Sequence, residues 1–266
     1  MTSSRLQVTI WIAALCGMSS LLSGKAASVG ALPDAPLSVA HWDSDHGLPP
    51  GPAGAICQTR DGYLWFGMEE GLGRFDGVRC TVFDARNTPE LKSSRISALH
   101  EDRAGALWIG TEGGGLCRLE KGLITAFGRD EGLKNSQINA IAEDFDGTLW
   151  VGTDGGGLYR FTSNRFERFV GEDGLSDLFV VSLSPSPSGS LWIAYRAGLR
   201  EMRSGRVVGT WRKEALDIPD VTALYVDARG AIWVGSLEGL FSFAEGRLDQ
   251  QQVDPPIKNV HTICAA

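Results

Sequence analysis

The sequence predicts an all-β propeller of four-stranded antiparallel blades, and three observations carry that prediction. An apolar-Trp-apolar triplet recurs five times, at Trp65, Trp108, Trp150, Trp192 and Trp233, in steps of 43, 42, 42 and 41 residues. A glycine stands three residues before each of these tryptophans: Gly62, Gly105, Gly147, Gly189 and Gly230. Thirty-four glycines in 266 residues, with no sustained helical period, leave short strands and tight turns as the available structure. A repeat of about 42 residues carrying four strands is one blade. Paired-helix repeats of similar length need helix formers and few glycines, so they are excluded.

The first 31 residues read differently. Arg5 is followed by an apolar run from Val8 to Leu22, and small residues cluster from Ser23 to Ala31. This is the pattern of a secretory signal peptide, with cleavage expected near Ala26 or Ala31. Gly17, Ser19 and Ser20 interrupt the apolar run and leave it short for a membrane span. A periplasmic or extracytoplasmic location is therefore expected. The propeller is expected over 32–266, opening with an outer-type strand at 37–42 (Leu37-Ser38-Val39-Ala40-His41-Trp42).

Five blades follow, at about 53–84, 95–128, 137–170, 179–212 and 220–253. The third shows the plan. Ile138–Ala142 is an apolar strand, and Asp146-Gly147 is a hairpin turn. Thr148–Thr153 is a second strand and Gly157–Thr162 a third, before Ser163-Asn164 turns the chain into a fourth at Arg165–Val170. The fourth unit departs most. Ser184-Pro185-Ser186-Pro187-Ser188 replaces the acidic turn and Ala194 replaces a glycine, so a shortened inner strand is expected there. The segment 257–263 matches the inner strand of a further unit. Five blades with one orphan outer and one orphan inner strand predict an unclosed ring. Its open edges would favour self-association.

Composition removes some function classes. The net charge is −7, and loss of residues 1–26 takes Arg5 and Lys25 but no acid, so the mature chain is more acidic still. Nucleic acid is not an expected partner. Export places Cys57, Cys80, Cys117 and Cys264 in an oxidising compartment. They lack metal-ligand spacing, and core filling is the expected role of at least three. Their pairing stays open.

The chemistry-bearing residues are few. The glycine triplets at 113–115 and 155–157 lack the Gly-Lys-Ser/Thr of a phosphate loop and read as hairpin turns. Asp144-x-Asp146-Gly147 hints at calcium, but the acid expected later in such a loop falls on Gly155. His41, His46, His100 and His261 show no metal spacing. The position that carries Asp in sialidase repeats holds Arg60, Arg103, Phe145, Pro187 and Ala228. Arg74, Arg118 and Arg160 recur after the Gly-Leu pair and are the candidate binding residues, as a partial arginine ring for an anionic ligand; the fourth and fifth units have Glu201 and Ser242 instead. The tryptophans read as packing residues. No catalytic set, metal or cofactor is expected.

The unit Ile138-x-Ala140-Ile141-x-Glu143-Asp144-x-Asp146-Gly147-Thr148-Leu149-Trp150-Val151-Gly152-Thr153, with Gly156-Gly157-Leu158-x-Arg160-Phe161 after it, resembles the two-component regulator propeller repeat. Trp42-x5-Leu48-Pro49 followed by Gln58–Trp65 looks like the start of such a sensor region. The resemblance covers about residues 37–263. It implies a periplasmic sensor that takes a small ligand, carbohydrate among the classes, and signals through a histidine kinase. No phosphoacceptor segment or nucleotide-binding box lies in residues 1–266, so kinase activity is not carried over. The signalling domains or a partner kinase are expected outside this stretch. The alternatives are an exported propeller enzyme acting on carbohydrate, as lyase or glycosidase, and a non-functional remnant.

Overall fold

A computed structural model describes residues 47–170, 178–218, 220–251, 260 and 263. The predicted signal peptide, the outer strand at 37–42, His41, His46, His261 and Cys264 lie outside them. Of the predicted strand at 257–263, Val260 and Ile263 are described.

Twenty strands form five four-stranded antiparallel sheets, each hydrogen-bonded in chain order. Blade 1 comprises β1 (Ala53–Gln58), β2 (Leu64–Met68), β3 (Gly71–Phe75) and β4 (Cys80–Phe83). Blade 2 comprises β5 (Ile96–Glu101), β6 (Leu107–Thr111), β7 (Gly115–Glu120) and β8 (Leu123–Phe127). Blade 3 comprises β9 (Ile138–Glu143), β10 (Leu149–Thr153), β11 (Gly157–Thr162) and β12 (Arg165–Arg168). Blade 4 comprises β13 (Val180–Pro185), β14 (Ser190–Tyr195), β15 (Gly198–Arg203) and β16 (Arg206–Arg212). A single helical turn, α1 (Lys213–Leu216), leads to blade 5: β17 (Val221–Val226), β18 (Ile232–Ser236), β19 (Leu240–Ala244) and β20 (Arg247–Gln250). The all-β propeller expected from the repeat is the fold observed.

The turns explain why these residues make these strands. All five glycines three residues before a tryptophan have φ between +83° and +91°, a region closed to most side chains. Each closes the hairpin from the first strand to the second. The hairpins between third and fourth strands use Lys121-Gly122, Ser163-Asn164, Ser204-Gly205 and Glu245-Gly246, with positive φ at both positions. That is the type I′ geometry, whose twist matches the strands it joins.

One expectation fails. The inner strand of blade 4 is not shortened: β13 has six residues, as do β1, β5, β9 and β17. Serine hydroxyls do the work of the missing carboxylate. Ser186 Oγ accepts from the Ser188 backbone N–H at 3.3 Å, and the Ser186 N–H donates to the Ser190 carbonyl at 2.7 Å. Pro185 still pairs with Leu191, because it is the last residue of the strand and needs no donor there.

Blades pack by a knob and a hole. The glycine two residues after the tryptophan leaves a hole, and the first β-branched residue of the next blade fills it. A Cβ on Gly67 would lie 2.7 Å from Ile96 Cγ2, one on Gly110 2.6 Å from Ile138 Cγ2, and one on Gly235 2.7 Å from Val260 Cγ1. Val260 thus occupies on blade 5 the place that Ile96, Ile138 and Val180 occupy on blades 1 to 3. At Gly152 the fit is tightest, with 2.3 Å to Val180 Cγ1 and 2.9 Å to Val180 Cβ. Gly152→Ala is expected to destabilise the protein by about 1–3 kcal/mol through overpacking. Adding Val180→Ala should restore most of that loss, because the two sites share one contact. Urea unfolding of both variants checks this, and additive effects would refute the shared contact.

A second seam is electrostatic. Arg60 donates to the carbonyls of Asp102 and Arg103, and its backbone N–H meets the Glu101 carboxylate at 3.0 and 3.2 Å. Arg103 repeats this onto blade 3, donating to the Asp144 and Phe145 carbonyls at 2.8 Å, with its N–H 2.7 Å from Glu143 Oε2. The equivalent residues in blades 3 and 4 are Phe145 and Pro187, which donate nothing.

Candidate functional site

The inner strands surround a central cavity of about 220 Å³. Each strand contributes an aliphatic side chain at the equivalent position, namely Ile56, Leu99, Ile141, Leu183 and Leu224, and Val181 and Ile263 line the cavity as well. A bulge follows the first residue of every inner strand. It turns the second residue toward the next blade. Ser97 Oγ donates to the Ile138 carbonyl at 2.5 Å, Asn139 Nδ2 to the Val180 carbonyl at 2.9 Å, and Thr222 Oγ1 to the Val260 carbonyl. In blade 4 the neighbouring Ser182 does so instead, to the Leu224 carbonyl at 3.3 Å. The polar groups on the cavity wall are therefore engaged in joining blades. No acidic, basic or thiol side chain is among the described residues of the wall. The exposed surface of the channel is more polar than apolar, and its described side chains carry no ionisable group.

Charge collects at the end of the channel where the inner strands begin. The first residue after the second strand in blades 1 to 4 forms a belt of Glu69, Glu112, Asp154 and Arg196. Arg95 bridges Glu69 at 3.5 Å and Glu112 at 2.8 Å. Arg196 reaches Asp154 at 3.2 Å and lies 4.7 Å over the ring of Phe179, which is 40% exposed. Lys213, with a smaller contribution from Arg196, holds Asp220 below the ordinary carboxylate range. The mouth is thus a salt-linked collar with one exposed aromatic ring.

The tryptophans lie away from this mouth, in the middle of the blades. Trp65, Trp108, Trp150 and Trp192 are buried, and Trp233 is half-buried. Trp108 Nε1 donates to Asp102 at 2.8 Å, Trp150 Nε1 to Asp144 at 2.7 Å, and Trp233 Nε1 to Asp227 at 3.3 Å. In blade 1 Thr59 Oγ1 takes that place at 3.1 Å. Sequence reasoning missed this pairing, although an acid six residues before three of the tryptophans was its signal. It also accounts for the calcium-like turn. Asp144 Oδ1 accepts from the N–H groups of Asp146 and Thr148, and Oδ2 accepts from the indole. Both oxygens serve their own hairpin. No cluster of three His, Cys, Asp or Glu residues forms among the described residues.

The three candidate arginines each lie opposite a tryptophan in register, on the third strand of a separate blade. Arg74 lies 4.8 Å over Tyr63 and 5.8 Å from both Trp65 and Phe83. Arg118 covers Trp108 at 5.6 Å and Phe127 at 5.7 Å. Arg160 pairs with Glu167 at 2.7 Å. The structure does not bring them together, and each caps the aromatic or charged row of its own blade. Cys57, Cys80 and Cys117 are free thiols, and burial pushes the Cys117 thiol up to about 12.

The blade plan just described, with its Asp-Gly turn, buried tryptophan and glycine hole, matches a known repeat at residues 47–70, 90–113 and 132–155. The family model that matches there is that of the two component regulator propeller. Solved structures of similar fold include the extracellular domain of a Bacteroides thetaiotaomicron protein described as a hybrid two component system. It is 22% identical, with a TM-score of 0.66, over 82% of this chain and 32% of that one. The extracellular domain of another protein from the same organism, described as a one component system, is 21% identical, with a TM-score of 0.61, over 79% of this chain and 31% of that one. The chain thus spans about a third of the length of these structures. The virginiamycin B lyase of Staphylococcus aureus shares the fold at 14% identity and a TM-score of 0.57, over 76% of this chain and 70% of the lyase. No curated protein matches the chain. Among the described residues no helix is long and apolar enough to cross a membrane.

Proposed function

We propose that this regulator propeller is the extracytoplasmic ligand-sensing module of a two-component system and has no catalysis of its own. The match of three of its units to two component regulator propeller repeats is the observation that carries the reading. The exported location rests on the signal-peptide pattern of the first 31 residues. The central channel and its charged collar supply the usual place for a ligand, where loops of several blades converge on a rigid scaffold. The signal is passed by domains or a partner kinase outside residues 1–266. A carbohydrate is the first ligand class to test, since Phe179 offers an exposed ring beside hydrogen-bonding charges at the mouth.

Calorimetry of the purified chain against a panel of plant and bacterial oligosaccharides tests this. The expected result is binding of at least one of them, with the ligand recovered intact. Release of shortened or unsaturated sugars would replace the sensor reading with that of a propeller lyase or glycosidase.

A further inference from the structure

A second cavity lies off the axis, between the link from blade 2 to blade 3 and the outer part of blade 3. It has a volume of about 570 Å³, more than twice that of the channel. Tyr159, Phe166 and Leu178 make its apolar walls, and Lys134 and Arg168 stand on it as well. The walls are fixed. Leu178 is held by its carbonyl, which accepts from the N–H groups of Gly155 and Gly157 at 2.9 and 2.8 Å. Asn135, also on the wall, donates to the Asp154 carbonyl at 3.0 Å and accepts from the Gln137 N–H at 2.8 Å.

Some cations of this acidic chain are tied to carboxylates and others are not. Arg60, Arg86, Arg95, Arg103, Arg118, Arg160, Arg196, Arg203 and Lys213 all meet a carboxylate within 3.5 Å. Among the described residues Lys134 and Arg168 meet none, and both side chains are exposed. The Tyr159 phenol, itself buried, lies within the field of Arg168 and beside the Lys134 backbone amide. Burial raises its pKa, so the hydroxyl keeps its proton and can donate it. Two cationic donors and one phenolic donor thus border a cavity whose other walls are flat and apolar. Such a set fits a carboxylate attached to an apolar body, since a guanidinium and an ammonium recognise the anion and the rings cover the rest.

We propose that this cavity binds a small organic carboxylate, with Lys134 and Arg168 holding the anion, Tyr159 donating to it and Phe166 and Leu178 packing on its apolar part. The site stands on this geometry alone; that such a ligand is what the module senses rests on the sensor reading above.

Benzoate is the probe, benzamide its uncharged counterpart and inorganic phosphate the test of charge alone, each titrated into the full chain by calorimetry. Benzoate is expected to bind at least tenfold more tightly than benzamide or phosphate. The Lys134→Gln, Arg168→Gln double variant should weaken benzoate at least tenfold while its circular dichroism stays that of the parent. Tyr159→Phe should weaken it several-fold and leave the tryptophan fluorescence of the unliganded protein unchanged. The proposal is overturned if benzoate fails to bind, if benzamide or phosphate binds as well, or if the double variant binds benzoate like the parent. An oligosaccharide that binds parent and double variant equally would leave the sensor reading standing while these results decide the carboxylate site.

Discussion

Replacing Trp150 with alanine is expected to cost about 3–5 kcal/mol, the range for deleting a large buried aromatic side chain. Trp150 sits between blades 3 and 4 in a cluster with Leu158, Val180, Ile193 and Met202. Its ring meets Phe169 edge-on at 5.5 Å and 87°. The truncation opens a cavity in that seam and takes the indole N–H away from Asp144 Oδ2. For a propeller of this size the loss corresponds to a melting-temperature drop on the order of 10 °C. Trp150→Phe separates the two contributions. It keeps most of the packing and loses the charge-assisted hydrogen bond, so its cost should be nearer 1–3 kcal/mol. Thermal and urea unfolding of both variants check this. Equal losses would mean that the hydrogen bond, rather than the packing, holds the seam.

The second large effect is acid sensitivity centred on His100. It pairs in register with Trp108, and Arg118 lies one strand further. Its Nε2 is sealed from solvent with no hydrogen-bond partner among the described residues. Burial depresses its pKa to about 4, against a smaller upward pull from Asp102. The folded protein therefore refuses a proton that the unfolded chain accepts below pH 6.5. The stability attached to neutral His100 is fully present above pH 6.5 and is lost as the pH falls toward 4, by about 3 kcal/mol in all. Asp76, Asp84, Asp220 and Asp227 have carboxyl pKa values held below their ordinary range, so their contributions are present above about pH 4 and fade below it. His100→Ala puts at this position the residue that blade 3 carries, Ala142. The variant should flatten the fall in urea midpoint between pH 7.5 and 5. An unchanged slope would place the proton uptake elsewhere.

The repeat and its strands were legible because they depend on local signals. A Gly forced to positive φ, an Asp-Gly turn and alternation along five or six residues each act within one hairpin. The short strand expected in blade 4 followed from the same local reading, and it failed because Ser186 supplies the hydroxyl oxygen that the turn needs. What the sequence hid joins residues about 42 apart. Arg60 and Arg103 look like surface charges until the next blade's turn lies beside them. The buried setting of His100 is equally silent in the chain. The off-axis cavity was invisible for a further reason: it brings a loop residue, Lys134, to face residues of two strands and the next link. The recurrence of Arg74, Arg118 and Arg160 misled in the opposite direction. Equivalent positions in successive blades are spread around the ring, so residues that repeat in sequence stand apart in space unless they sit near the axis.

The arginine seam has a mechanical consequence. It ties blade 1 to 2 and blade 2 to 3; from blade 3 to 4 only the Arg196–Asp154 pair, at the other end of the strands, remains among the described arginine links. In an array whose units touch only their neighbours, cohesion is a sum of such junctions, and the array opens at its weakest one. Amide exchange should therefore find blades 1 to 3 protected as one block, with blades 4 and 5 opening at lower free energy. Pulled from its ends, the molecule should yield first at the Phe145 junction, where a phenyl ring stands in place of the guanidinium.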